Sequence, residues 1–373
     1  MIKCQVLVEA MDRLAPRYLA EDWDNVGLLI GSPAQEINKV MTCLDATENI
    51  IDRAIAGNYD MIVSHHPFLF RAVKRINTNN PLGRKIQKLL AHNIAVFAAH
   101  TNLDTTFGGV NDVLAQKLHL TDLKPLTISW REEILKLGVN VPLDHAEAVR
   151  HAIAKAGAGS IGNYAGCSFQ FAGEGRFTPL EGAHPFIGSS QKPETVPEVR
   201  IETVLPAKIQ NRVVKAMLKA HPYEVPAYDI IPTKNCYNEN GLGRIGIFSD
   251  SSDMSIEDYA KMVKENLPGD TVRLVKGNDK PVHKVALCSG AGVEFMDAAA
   301  MQGAYTYVTG DVKYHEAQHA QELGINLIDA GHFGTEMPVV EKLAQYLEAE
   351  NIKNKWQIEI TADNSERDTF ITI

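Results

Sequence analysis

Apolar and polar positions alternate in blocks along the first third of the chain, and the blocks change period. Residues 5–20 carry apolar side chains at helical spacing and predict an amphipathic helix. A Gly-containing stretch, DNVGLLIG, follows. Beyond it the pattern predicts a strand at 40–44, a helix at 49–57, the strand MIVS at 61–64, a helix at 82–93, the strand IAVFAA at 94–99 and a helix at 109–118. Short runs as apolar as IAVFAA predict strands buried on both faces of a sheet. The last third has the same style. Strands are expected at VALCSG (285–290), AYTYVTG (304–310) and INLIDAG (325–331), with helices at 294–302, 315–323 and 335–350 and a closing strand at 356–361. Strand–helix alternation of this kind predicts a layered α/β domain.

The middle reads differently. A strand at 135–141 and a helix at 145–156 lead into a Gly-rich pair of short strands and a Pro-containing loop. A strand at 199–205, a helix at 208–220 and a strand at 227–231 follow. The order βαββαβ is the ferredoxin-like split unit. The expected fold is therefore a two-segment α/β core, residues 1–126 and 240–373, with a ferredoxin-like α+β domain at 131–232 inserted into a surface loop. The competing arrangement is one continuous large sheet.

A chain of 373 residues is long enough for more than one hydrophobic core. Its formal charge of −9 and pI near 5.8 argue against general nucleic-acid binding, which needs a basic face. The five cysteines are scattered and form no CxxC pair, so a disulfide framework and a thiolate zinc site are both poorly supported. The charged start reads as a helix, not a signal peptide, and no run approaches the roughly 18 apolar residues of a membrane span. The expectation is a cytoplasmic, non-membrane protein.

Three apolar strands end in metal-competent residues: His65 and His66 in MIVSHHP, His100 and Asp104 in VFAAHTNLD, and His332 and Glu336 in LIDAGHFGTE. Ligand sites of open α/β sheets gather outside the carboxyl ends of strands, so these loops can converge. Pro67 restricts the turn after His66. With a helix starting near Gly334, His332 and Glu336 share one face, and Asp104 has two oxygens with which to bridge cations. Histidine with carboxylate suits zinc, manganese or iron. So many candidates exceed one tetrahedral site and fit two divalent ions about 3.5 to 4 Å apart. His100 is balanced between ligand and supporting roles, and His119, His184, His221 and His319 are read as non-ligands. Asp311 and His315 are candidates for acid–base catalysis, although Asp311 serves equally as a helix cap. The SGAG turn at 289–292 is either a phosphate cradle or a plain tight turn, and Asn25 either a site contact or a turn residue. Common nucleotide, serine-hydrolase and dinucleotide motifs are missing.

At SHHP, HTNLD, GHFGTE, DNVG and TGDVKYHE the sequence resembles the GTP cyclohydrolase I type 2 homologues, also called Ngg-interacting-factor-like proteins. The resemblance covers about 1–126 and 240–373. It implies a dinuclear divalent-metal centre, zinc first among the candidates, at His65, His66, Asp104, His332 and Glu336. It also implies ring-shaped homohexamers. The inserted segment is similar to PII and CutA-type trimeric domains, above all at HPYEVPAYDI (221–230), which implies trimer contacts through the insert. Two functions follow: a metal-dependent hydrolase of a nucleotide-like substrate, or a non-enzymatic regulatory or metal-binding assembly.

Overall fold

The computed structural model describes residues 1–249 and 253–373. The chain divides into two compact units, one made of Met1–Trp130 with Asn240–Ile373 and the other of Arg131–Glu239.

The first unit is a mixed α/β body with two principal sheets. Its five-stranded sheet runs Glu359–Ala362, Lys39–Cys43, Met61–Ser64, Ala95–Ala98 and Gly27–Ile30. The first four are mutually parallel, and Gly27–Ile30 closes the edge antiparallel to Ala95–Ala98. Met61–Ser64 and Ala95–Ala98 are buried throughout, as continuous apolar runs require. Helices Cys4–Leu14 and Pro338–Asn354 bring Leu7, Met11, Leu343 and Leu347 onto one face. Helices Glu48–Ala56 and Pro81–Ala91 bring Ile50, Ile51, Ile86 and Leu89 into a second cluster with Ile62 and Val96. Those side chains alternate along the strands, so the sheet is covered on both sides.

The six-stranded sheet runs Arg273–Val275, Asn326–Asp329, Thr306–Thr309, Lys284–Leu287, Arg244–Phe248 and Leu120–Pro125. Asn326–Asp329, Thr306–Thr309 and Lys284–Leu287 are parallel, and each of the remaining pairings in the sheet is antiparallel.

Several elements went unread in the sequence. Gly27–Ile30, Leu120–Pro125 and Arg244–Phe248 are strands set among glycines and turn residues, which masked their short apolar patterns. The helix Ile256–Asn266 was also missed, although Ile256, Tyr259, Ala260 and Val263 bury one face and Ser255 caps it through the Asp258 N–H. The expected helix at 335–350 begins earlier, as a short helix His332–Glu336 followed by Pro338–Asn354.

The second unit is a four-stranded antiparallel sheet in the order Ser168–Phe177, Glu194–Pro206, Ile134–Pro142, Tyr228–Pro232. Where two short Gly-rich strands were expected, one ten-residue strand stands instead, paired along its length with Glu194–Pro206. Gly173 and Gly175 lie within this strand, and pairing with Glu194–Pro206 holds the backbone extended through them. Helices Ala146–Lys155 and Gln210–Ala220 lay Val149, Ile153, Val213 and Met217 on the alternate residues Leu135, Leu137, Val139 and Val141. The unit thus has its own core. No helix among the described residues is long and apolar enough to cross a membrane.

Candidate metal centre

His65 and His66 follow the strand Met61–Ser64, and a short helix Thr101–Thr105 carries Asp104 just beyond Ala95–Ala98. From the other sheet, Asn326–Asp329 leads through Gly331 into the helix His332–Glu336. Gly331 has φ +76°, which favours glycine at the turn into that helix. The carboxyl ends of both sheets therefore meet at one cluster, and all five residues singled out as ligands lie in it.

The histidines are held from behind. His65 Nδ1 lies 2.8 Å from the Ala99 carbonyl, and His66 Nδ1 3.0 Å from Asp45. His100 Nδ1 is 2.9 Å from Asp24, and His332 Nδ1 2.8 Å from Asp311. A proton on each Nδ1 satisfies these acceptors and leaves Nε2 as a lone pair facing inward, the orientation metal-ligating imidazoles use.

At the centre sits Glu336, 4 % exposed. Its Oε2 is 2.9 Å from His66 Nε2 and 3.1 Å from His332 Nε2. His65 Nε2 lies 3.6 Å from Asp104 and 3.9 Å from Glu336 Oε1. Despite this crowding, His65 Nε2 and Glu336 Oε2 are buried with no partner in hydrogen-bonding geometry among the described residues. Donor atoms turned past one another toward a shared centre suit a cation and are costly without one. Three triads have ligand atoms close enough to hold a metal ion: His65, Asp104 and Glu336; His66, His332 and Glu336; and His65, His66 and His100. Glu336 belongs to two of these groups and Asp104 to one.

With protons as the only cations, the charges interlock. Burial alone would raise the Glu336 carboxyl, but the surrounding imidazoles outweigh it and hold it well below the usual range. Burial would lower His66, yet Asp45 and Glu336 push it up to about 11. Glu336 chiefly, against burial, takes His332 up to about 9. Burial raises the Asp104 carboxyl. Asp24 sits in burial that would raise it, but bonds from His100 and Thr101 bring it down to about 2.

Neighbouring backbone is shaped around the cluster. Gly290 has φ +61°, and a side chain there would fall 2.3 Å from Glu336 Oε1. The Gly290 N–H donates to Thr335 Oγ1 at 2.9 Å. The SGAG turn is thus explained by close approach to Glu336. Asn111 donates to the Asp104 carbonyl at 2.9 Å and accepts from the Ser289 N–H at 2.9 Å, tying the two halves of the cluster together. Asn25 donates to the Leu69 carbonyl at 2.5 Å, binding two loops at the rim.

Asp311 lies behind His332 and lines an adjacent cavity of about 990 Å³, which His66, Asp45, Arg273 and Arg367 also line. His315 is placed on the helix Tyr314–Leu323, with Nδ1 2.9 Å from Gln318, and is not among the clustered groups. The sequence reading missed Asp24 and Asp45. Asp45 had a legible signal, since it too follows an apolar strand, Lys39–Cys43. Asp24 stands in DNVG, where only its neighbour Asn25 was weighed as a site contact, because the loop comes long before the histidine that Asp24 supports.

A family model described as Duf34/NIF3 (NGG1p interacting factor 3) matches residues 2–368. The chain belongs to this family. Within it, the chain is 44% identical over 329 residues to a Bacillus subtilis protein named GTP cyclohydrolase 1 type 2 homolog, covering 88% of each chain. A Halalkalibacterium halodurans protein of the same name is 41% identical over 369 residues, covering 99% of this chain and 98% of the other. Among solved structures, a Bacillus cereus protein related to NIF3 has a TM-score of 0.89 at 38% identity, covering 100% of this chain and 99% of that one. A Staphylococcus aureus protein gives 0.82 at 31%, with the same coverage. A metal-competent His/Asp/Glu cluster thus sits in a NIF3-family α/β body.

Proposed function

We propose that this NIF3-family chain holds two divalent metal ions and is a metal-dependent hydrolase of a nucleotide-like substrate. The observation that carries the metal reading is the set of four imidazoles, each held at Nδ1 and turned by Nε2 toward two buried carboxylates. His65, Asp104 and Glu336 would hold one ion and His66, His332 and Glu336 the other, with His100 beside the first. Zinc fits this oxygen and nitrogen set, as do iron and manganese. When bound, such ions supply Lewis acidity toward a polarised substrate bond. The chain's own residues do the rest. Asp24, Asp45 and Asp311 keep the imidazoles oriented, and Asp311, at the cavity wall, is placed to hold or pass a proton. His315 in a catalytic role would require the substrate to reach its exposed helix.

The nucleotide-like substrate is supported by two features of the rim. Trp23 and Phe70, both largely exposed, stand with ring centroids 6.1 and 6.4 Å from His100, offering faces on which a planar base stacks. In the adjoining cavity, the Arg367 guanidinium donates only to the backbone carbonyls of Asn364 and Glu366 among the described residues, leaving a cation for an anionic group. The names of the relatives point to the same substrate class.

The second unit is proposed to be the ferredoxin-like, PII/CutA-like insert, spanning about residues 131–232 within a core made of 1–126 and 240–373. Its βαββαβ order and separate core support that reading. A homohexamer, with trimer contacts through the insert, and a cytoplasmic location complete the proposal. The separately cored insert also favours a second function, a regulatory or metal-binding assembly without catalysis.

Metal content by plasma mass spectrometry decides first. About two ions per chain, falling sharply in Asp104→Ala and His66→Ala, supports the centre and directs a screen of GTP and other nucleotides. Content unchanged by both substitutions would sink the metal reading. Full turnover by metal-depleted protein would sink the hydrolase and leave the assembly.

A further inference from the structure

The Arg131–Glu239 unit contains a cavity of about 330 Å³ that the metal chemistry does not use. We propose that this cavity is a second binding site, specific for a small organic ammonium ion.

The walls are aromatic. Phe177 and Tyr223 stand with ring centroids 5.8 Å apart, Phe186 and Tyr223 6.5 Å apart, each pair inclined rather than stacked. Phe177, Phe186 and Tyr223 all line the space, with Glu198 among them. Aromatic rings that line a cavity offer surface to a cation, and a ring face attracts it more strongly where water is excluded. The volume lies at the lower end of the roughly 300 to 1,000 Å³ typical of ligand pockets.

The charge is at Glu198, which is 8 % exposed. Its Oε1 accepts from the Tyr223 hydroxyl at 2.8 Å. Neither a second hydrogen bond nor an ion pair to Lys, Arg or His reaches this carboxylate among the described residues. His221, close to Tyr223, does not supply the missing charge. Its Nδ1 accepts from the Tyr223 N–H at 3.1 Å while Nε2 lies 2.9 Å from the Asn140 carbonyl, which defines a neutral ring. Burial pulls its pKa below the ordinary histidine value, in agreement.

The backbone makes room for this arrangement. A side chain at Gly175 would fall 2.3 Å from the Glu198 carboxyl carbon and 2.4 Å from Oε2. The carboxylate lies across a strand position that only glycine leaves open. A buried carboxylate without a counter-charge is unfavourable unless something positive meets it, and an ammonium ion can meet Glu198 and the ring faces together. Arg176 also lines the space, but its guanidinium is paired with Glu174 at 3.0 Å, and neutral apolar ligands would leave the Glu198 carboxylate without a counter-charge.

The test uses the full-length, metal-loaded protein and calorimetric titration with choline and its uncharged isostere 3,3-dimethylbutan-1-ol. Choline is expected to bind about tenfold more tightly than the isostere, a ratio that cation–π and carboxylate contacts together supply. Glu198→Gln keeps an acceptor for Tyr223 and should cost choline about tenfold while leaving the isostere unchanged. Phe186→Ala, on a half-exposed loop residue that can be lost without unfolding the sheet, should weaken choline as well. Equal binding of the two compounds would overturn the proposal in favour of a plain apolar cavity. So would choline binding indifferent to both substitutions, or no choline binding at millimolar concentration.

Discussion

Glu336→Gln removes one charge from the candidate metal cluster and keeps the side chain's shape. Because Glu336 belongs to both carboxylate triads, this substitution should lower metal content at least as far as Asp104→Ala does, with the far-ultraviolet circular dichroism retained. Gly290→Ala attacks the same carboxylate through the backbone. Left-handed φ costs an L-residue roughly 1 to 2 kcal/mol, and the new methyl would displace Glu336 Oε1. A lower melting temperature together with lost metal is the expected result; a variant with normal metal content would show that Glu336 does not need its present position. Asp24→Asn tests the support behind His100. Removing such a partner typically costs about 10- to 100-fold in metal affinity, measurable by competition with a chelator. The pH dependence has a defined sign. The Asp24 carboxyl is lowered to about 2 in the folded chain, so its stabilising effect is fully present above its unfolded value near 3.9 and is lost as pH falls through about 2. The stability gap between metal-free wild type and Asp24→Asn, read from urea unfolding, should therefore be largest at neutral pH and shrink below about pH 4.

At the scale of elements, Arg244 joins the two sheets of the first unit. It is fully buried on the strand Arg244–Phe248, and its guanidinium reaches Asp112 at 2.6 Å. It also donates to the carbonyls of Gly241, Gly243 and Thr106 at 2.8, 2.7 and 2.7 Å. Thr106 immediately follows the helix that carries Asp104. Arg244→Met leaves Asp112 without its cation and these carbonyls without donors, a loss of about 3 to 5 kcal/mol for a broken buried pair. Chemical denaturation should show this drop, and a loss below about 1 kcal/mol would mean that water or a neighbour replaces the guanidinium. Nothing in the sequence marks Arg244 as different from the chain's exposed arginines, since its role depends on carbonyls from distant segments. The strand Met61–Ser64 was legible because four consecutive apolar or small residues suit burial on both faces. Gly27–Ile30 was not, because its pairing with Ala95–Ala98 is non-local and its glycines resemble a turn.

At the scale of the whole molecule, the Arg131–Glu239 unit can be separated on physical grounds. The first unit keeps its own clusters of buried side chains, and the Ser129 N–H donates to the Asn240 carbonyl at 3.1 Å, so the chain leaves and returns at neighbouring points. Joining Trp130 to Asn240 through a short Gly/Ser linker should give a folded protein that still binds metal. If the insert makes the proposed trimer contacts, light scattering will report a smaller assembly than the full-length chain forms; an unchanged number of subunits would place the contacts elsewhere.

The alternation of apolar strands and amphipathic helices determined the layered α/β character, because burial on both faces imposes its own composition on local sequence. The same locality made the candidate metal residues legible: His65, His66, Asp104, His332 and Glu336 each stand in a segment that follows an apolar strand, where backbone turns toward a site. Tertiary structure alone decided that Glu336 falls in two of the candidate triads, that Asp24 and Asp45 hold His100 and His66, and that Gly290 makes space. It also set Glu198, bonded to the Tyr223 hydroxyl, in a cavity wall with three aromatic rings. These are relations between segments far apart in the chain, and distance across a folded core leaves no period or spacing in the sequence from which to read them.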